Sequence, residues 1–327
     1  MGTAEDQFEA AQTRLLQDTG THAHSRFLTI NEPAAGVQRV HILEAGRDDA
    51  PPALLLHGGN SVAVGLEPLL GLLQNDLHIF APDRPGCGLT DNLYYHGVAF
   101  REHAIAFIGS VLDGLGLKRV SLAGNSVSGY WALVFALAHP ERVDRLVMLG
   151  EPAGSARHPS FRHRILATPG LNRLLYATVL KPRRARTRKG LGAVVAHPER
   201  ISEAFLDMAY AAAVLPGAQL AWTSMVEVIN PPRWTPRLTY ALRPELSRIQ
   251  CPTLFIWGDH DGCPPAWGKE MCQIMSQAYL EVIPDAGHLP WLDAPQRVAD
   301  LMRRFLSATP HGPTSRPGEP ISAELKE

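Results

Sequence analysis

The sequence predicts an α/β fold built on a mostly parallel sheet, and three observations carry that prediction. Short, wholly apolar runs such as Ala53-Leu54-Leu55-Leu56 alternate with stretches of helical periodicity, the pattern of right-handed β-α-β units whose sheet is covered on both faces. The alternation lapses over residues 151–244, where helical stretches continue without a buried-strand run, and resumes at Thr253. Around Ser126 an apolar run, a cluster of small residues and a helix-like stretch follow one another directly, which reads as strand, tight turn, helix.

Each element has its own signal. Residues 5–18 place Phe8, Ala11 and Leu15 on one side of a short helix. Residues 27–30 and 37–44 read as two strands joined by the turn Pro33-Ala34-Ala35-Gly36. The run 53–56 is a strand, 64–73 a helix and 77–81 a strand; 100–115, 120–123, 127–139 and 146–149 repeat that rhythm. The segment 151–245 is expected to form a helical cap over the carboxyl edge of the sheet, with helices over 202–214 and 218–229 and an end punctuated by Pro231, Pro232, Pro236 and Pro244. Strands over 253–257 and 278–283 and helices over 267–276 and 296–306 complete the core, with Asp293 placed to cap the last helix. The expected organisation is a helical extension over 1–25, a core made of 26–150 and 246–308, the cap, and a proline-rich disordered tail over 309–327.

Composition narrows the function classes. With 327 residues, 45% hydrophobic and 19% charged, the chain reads as a globular protein, and its formal net charge of −1 offers no whole-protein field for nucleic acid or an anionic membrane. The basic run Lys181-Pro182-Arg183-Arg184-Ala185-Arg186-Thr187-Arg188-Lys189 reads as a solvated loop of the cap, since no aromatic residue interleaves it. The acidic amino terminus lacks the apolar core of a secretory signal, and no stretch of 18 apolar residues suggests a membrane span. Cys87, Cys251, Cys263 and Cys272 form no C-x-x-C pair, which fits reduced thiols in the cytoplasm. The expectation is a small-molecule substrate, with neither nucleic acid nor membrane as partner; oligomeric state is not encoded in any legible feature.

The chemistry centres on Gly124-Asn125-Ser126-Val127-Ser128-Gly129. A serine at the apex of a strand–helix turn is forced into a strained backbone that presents its hydroxyl beyond the sheet edge. The usual pattern has glycine where Ser128 stands. A serine hydroxyl needs a base, and the base an orienting carboxylate. Of the 14 histidines, His288 lies in a loop directly after the last strand. Asp261 follows the strand 253–257 and is the expected carboxylate, Asp259 shaping the turn instead; Glu151, just past the strand 146–149, is the alternative acid. Backbone N–H groups of Gly59 and Val127 are the expected oxyanion donors, the latter aided by the field of its helix terminus. His57, beside them, reads as structural. Phe205, Met208, Trp222, Met225 and Trp234 are candidates for an apolar pocket lining, with ordinary packing within the cap the favoured reading of each.

His57-Gly58-Gly59, Asp83-Arg84-Pro85-Gly86-Cys87-Gly88-Leu89-Thr90-Asp91, the Ser126 motif, Trp257-Gly258-Asp259-His260-Asp261 and Gly287-His288 together resemble the α/β-hydrolase family over residues 27–306, in the family's order of nucleophile, acid and histidine. The resemblance implies an eight-stranded, mostly parallel sheet flanked by helices, with a helical cap after the sixth strand. It also implies Ser126 as nucleophile, His288 as base, Asp261 as acid and the Gly59 and Val127 N–H groups as oxyanion donors, with no cofactor and no metal. Members that open epoxides or remove halide use aspartate where Ser126 stands. The expected activity is therefore that of a serine hydrolase acting on a small, apolar ester or related carbonyl through an acyl-enzyme. The alternatives are a C–C bond hydrolase of ring-fission products and, in another class, a non-hydrolytic binder or natural-product-modifying member.

Overall fold

The computed structural model describes residues 2–230 and 236–307. Pro231, Pro232, Trp234 and the expected tail over 309–327 lie outside these described residues. Helix α1 (Ala4–Thr19) opens with a Thr3–Asp6 capping box and stops at Gly20, whose φ of 68° only glycine adopts freely. Strands β1 (Ala23–Thr29) and β2 (Arg39–Gly46) form an antiparallel pair. β1 begins inside the segment expected to be a helical extension.

The core then alternates. β3 (Pro52–Leu56) leads to a 3-10 turn (Ala63–Leu66) and α2 (Glu67–Leu73); β4 (His78–Pro82) leads to α3 (Phe100–Gly114); β5 (Val120–Asn125) leads to α4 (Val127–Ala138), and β6 (Val143–Leu149) closes the first half. Between β6 and β7 (Thr253–Gly258) lie α5 (Phe161–Leu166), α6 (Leu171–Ala177), α7 (Arg184–Gly192), α8 (Glu203–Ala213), α9 (Ala218–Ile229) and a 3-10 segment (Leu238–Arg248). After β7 come α10 (Pro265–Ile274), β8 (Ala278–Ile283), α11 (Pro290–Asp293) and α12 (Pro295–Ser307).

The eight strands lie in the order β1-β2-β4-β3-β5-β6-β7-β8. β2 runs against both its neighbours, and the pairs from β4 to β8 are parallel. The apolar runs are buried on both faces: Leu54, Leu55, Leu56, Phe255 and Ile256 have no exposed surface. Two hydrophobic clusters follow, one on each face of the sheet.

Two expectations are corrected, and the packing reading of two cap residues gains its partners. The basic run is not a loop: residues from Arg184 onward form α7, and Arg184 and Arg188 pair with Glu203 and Asp207 of α8, whose negative charges make a helix of this composition tenable. Asp293 does not cap α12. It ends α11, and its carboxylate accepts from the N–H groups of Ala196, His197 and Gly287. Phe205 and Met208 are buried in the same apolar cluster as Phe8 and Leu15 of α1, so they pack the amino-terminal helix against α8.

Candidate active site

Parallel register brings the site loops together. Leu56 of β3 stands opposite Gly124 of β5, Asn125 opposite Leu149 of β6, and Leu149 opposite Ile256 of β7. The residues that follow these strands (Gly59, Ser126, Glu151 and Asp261) therefore emerge side by side at the carboxyl edge, and Gly258 opposite Ile283 of β8 adds the loop bearing His288.

Ser126 adopts φ 53° and ψ −116°, and it is one of three non-glycine residues with positive φ among the described residues. The others, Asn60 and Asp285, sit in the loops after β3 and β8. Such conformations cost on the order of 1–3 kcal/mol each and persist only where packing enforces them. Packing does so here. A Cβ on Gly124 would come within 2.4 Å of the Ser128 carbonyl, and one on Gly129 within 2.9 Å of Pro152 Cβ. The second contact explains why glycine stands at 129. Ser128 is wholly buried and donates its hydroxyl to the His57 carbonyl at 2.5 Å, a bond glycine would lack. The departure from the usual motif thus carries a local purpose that the sequence did not reveal.

His288 Nδ1 lies 2.9 Å from Asp261 Oδ2, and the Asp261 side chain is 3% exposed. An ionised carboxylate accepts only, so Nδ1 carries the proton and Nε2 is free to accept one. The same Oδ2 accepts from the Glu151 N–H at 3.1 Å, and Oδ1 from the Cys263 N–H at 3.1 Å. Burial works against the imidazolium. The hydrogen bond and charge of Asp261, with the charge of Glu151 behind them, outweigh it and hold the His288 pKa above its usual value. The His288 loop meets the elbow closely: a Cβ on Gly150 would lie 2.3 Å from the His288 carbonyl and 3.3 Å from Asn125 Nδ2.

Glu151 takes a different place from Asp261. Its backbone supports Asp261, while its carboxylate accepts from the Ser155 hydroxyl. Burial pushes its pKa up, against the opposing charges of Arg237 and His288. Asp259 accepts from the Ala286 N–H at 3.3 Å and so braces the histidine loop.

The Gly59 loop is pinned from below. Arg84, 1% exposed, donates through Nε to the His57 carbonyl at 3.2 Å and through Nη2 to the Gly58 carbonyl at 2.9 Å. The Arg84 N–H donates to His57 Nε2 at 2.9 Å. Burial and the nearby Arg84 cation push the His57 pKa down to about 3, so His57 is a neutral structural group. Asp83 accepts from the Ala63 and Leu89 N–H groups and pairs with His41. Above the loop, a Cβ on Gly59 would lie 2.5 Å from the Trp222 ring, and Met225 Cε lies 3.5 Å from the same point. Two of the candidate lining residues, Trp222 and Met225, thus face Gly59 from α9. Phe205 and Met208 do not, and Trp234 is outside the described residues. Arg84 and Ser128 were legible as motif residues, but their contacts with the His57-Gly58 carbonyls needed three dimensions.

An eight-stranded sheet with a strained serine elbow after its fifth strand and a carboxylate–histidine pair beyond it defines the α/β-hydrolase class. A family model described as "Alpha/beta hydrolase family" matches residues 53–301. The chain belongs to that family and is a hydrolase. It is 27% identical over 272 residues to the 2-hydroxy-6-oxo-6-phenylhexa-2,4-dienoate hydrolase of Burkholderia cepacia, covering 81% of this chain and 90% of that protein. Against the 2-hydroxymuconate semialdehyde hydrolase of Pseudomonas putida the identity is 28% over 263 residues, covering 78% and 87%. The fold matches that of the carboxylesterase CesB from Bacillus subtilis with a TM-score of 0.72 at 21% identity, over 93% of this chain and 98% of that one.

Proposed function

We propose that the chain hydrolyses a bond next to a carbonyl through an acyl-enzyme, with Ser126 as nucleophile, His288 as base and Asp261 as the carboxylate that orients it. The observation that carries this reading is the Nδ1–Oδ2 contact of 2.9 Å between His288 and Asp261, which fixes the tautomer that leaves Nε2 to take a proton. As Ser126 Oγ attacks the carbonyl carbon, its proton passes to Nε2 and the carbonyl oxygen becomes an oxyanion facing the N–H groups of Gly59 and Val127. Collapse expels the leaving group, which takes the proton from Nε2. Water, deprotonated by the same nitrogen, then releases the acid and restores Ser126. No step in this scheme calls for a metal or organic cofactor. The insertion between β6 and β7 acts as a cap over residues 26–150 and 246–308, and Trp222 and Met225 give the pocket an apolar wall suited to a small apolar acyl group.

The reading comprises two leaving groups. An alkoxide makes the enzyme an esterase. A carbanion equivalent makes it a C–C hydrolase, and the names of the curated relatives favour that second reading. Parallel assays with p-nitrophenyl esters of graded chain length and with 2-hydroxy-6-oxo-dienoates decide between them: ester turnover alone supports the first, dienoate turnover the second. Turnover of neither by wild type, or of either by Ser126→Ala at near-normal rate, contradicts the scheme. The four free cysteines support a reducing compartment, which fits the cytoplasm.

A further inference from the structure

Charge and apolar exposure are unevenly spread over the insertion. Between Glu151 and Glu199 the sequence holds ten lysines and arginines and no aspartate or glutamate, although the whole chain carries a formal net charge of −1. Five of the ten large hydrophobic side chains that stand exposed among the described residues fall in the same span: Phe161, Leu171, Leu174, Val179 and Leu180. Leu174 is 60% exposed and Val179 59%. Single exposed leucines are ordinary, but a cluster of this kind marks a surface with a partner.

The two features adjoin. Leu171 and Leu174 are three residues apart on α6 and so share one face of it. The chain then leaves α6 and reaches α7 through residues 178–183, where Val179 and Leu180 directly precede Lys181 and Arg183. Arg184 and Arg188 are spent on Glu203 and Asp207 of α8. Lys181, Arg183, Arg186 and Lys189 have no carboxylate partner among the described residues; Arg186 donates only to the Lys181 carbonyl. The strip is joined to the site, since Trp222, whose ring faces Gly59, donates its indole N–H to the Tyr176 hydroxyl of α6 at 2.7 Å.

We infer that this strip docks on the surface of an anionic lipid bilayer, with Leu171, Leu174, Val179 and Leu180 entering the headgroup boundary and the unpaired cations meeting lipid phosphates. Apolar side chains flanked by long cationic ones are the composition of an interfacial anchor, and each cation near such a surface adds to the attraction. No single helix among the described residues is long and apolar enough to cross a membrane, and the contact proposed is with one leaflet only. A second copy of the chain would bring the same cations against these and repel them. Nucleic acid would satisfy the cations but would leave Leu174 and Val179 in water. The expectation that no membrane is involved came from the net charge, which averages this local excess against acidic residues elsewhere.

The test is sedimentation of the full chain with vesicles of phosphatidylcholine alone and of phosphatidylcholine mixed with phosphatidylglycerol, at two salt concentrations. The expected result is binding to the mixed vesicles about tenfold or more tighter than to the neutral ones, weakened by salt. Both Leu174→Ser/Val179→Ser and Lys181→Glu/Arg183→Glu should lose it while keeping the thermal unfolding midpoint of the parent. The proposal is overturned if mixed vesicles do not pull the chain down, or if either folded double variant still binds like wild type. It is equally overturned if the leucine–valine variant loses self-association measured by sedimentation velocity and not vesicle binding, or if a short RNA duplex binds the chain and only the charge-reversal variant, not the leucine–valine one, loses vesicle binding. None of these readouts uses turnover, so they stand or fall apart from the Ser126 chemistry.

Discussion

Arg84 Nη2 donates to the Gly58 carbonyl at 2.9 Å, 26 positions away in sequence. The Gly58–Gly59 peptide is trans, so the Gly58 C=O and the Gly59 N–H lie in one plane and point in opposite directions. In the proposed scheme, anchoring the carbonyl on a buried cation fixes the orientation of the Gly59 N–H and polarises it as an oxyanion donor. Arg84→Met is expected to lower kcat by about 10- to 100-fold with KM little changed, somewhat less than the loss of a whole oxyanion donor. Arg84→Lys, which keeps the charge and loses the fork, should fall between the two. Steady-state kinetics together with trifluoromethyl ketone inhibition check it: affinity for the inhibitor should drop by the same factor as kcat/KM.

The two carboxylates beside His288 should separate cleanly. Asp261→Asn removes the group that holds Nδ1–H and is expected to cost about 10³–10⁴ in kcat. Glu151→Gln keeps its N–H on Asp261 Oδ2 and should stay within about tenfold of the parent. Because burial pushes the Glu151 pKa up, the group favours folding most when protonated, and this contribution is lost as pH rises through its folded value. Glu151→Gln is therefore expected not to lower the unfolding midpoint at neutral pH. Inactivity confined to Glu151→Gln would reverse the assignment.

The pH profile follows from the raised pKa of His288. A base must be unprotonated to work, so kcat/KM should climb with pH to a plateau whose midpoint lies above 6.5, the unperturbed value. In Asp261→Asn the midpoint should move down. The stability contribution runs the other way: it is complete below the unfolded pKa and is lost as pH rises through the folded one. A profile midpoint that does not move in the Asp261 variant would place another group in control of the rate.

Asp293 joins the insertion to the histidine loop through the Ala196, His197 and Gly287 N–H groups. The Leu289 N–H donates to the Val194 carbonyl at 3.2 Å across the same boundary. With its side chain buried, Asp293→Ala leaves these donors unsatisfied and should cost on the order of 3 kcal/mol of stability. Denaturant unfolding of Asp293→Ala and Asp293→Asn measures it, with the asparagine variant keeping part of the loss at bay.

Sequence alone exposed what local patterning controls. Ser126, Asp261 and His288 each follow a mostly apolar run (120–123, 253–257 and 278–283), and a parallel sheet obliges such runs to end at one edge. α9 was legible to the residue because its apolar period is strong. α5 and α6 were not: at 6 and 7 residues they are too short to display a period, and Leu171 and Leu174 of α6 face outward. α7 was hidden by its charge, since only the carboxylates of α8 across the gap make that helix favourable. The roles of Arg84, Ser128 and Asp293 rest on partners distant in sequence, which no local pattern records.

The most direct measurement is peptide mapping after reaction with a fluorophosphonate. An activated serine forms a covalent phosphonyl adduct, so the account predicts stoichiometric labelling at Ser126, abolished in Ser126→Ala and strongly slowed in His288→Gln. A full-length, folded chain that takes no label, or takes it at another residue, would contradict the nucleophile on which everything else depends.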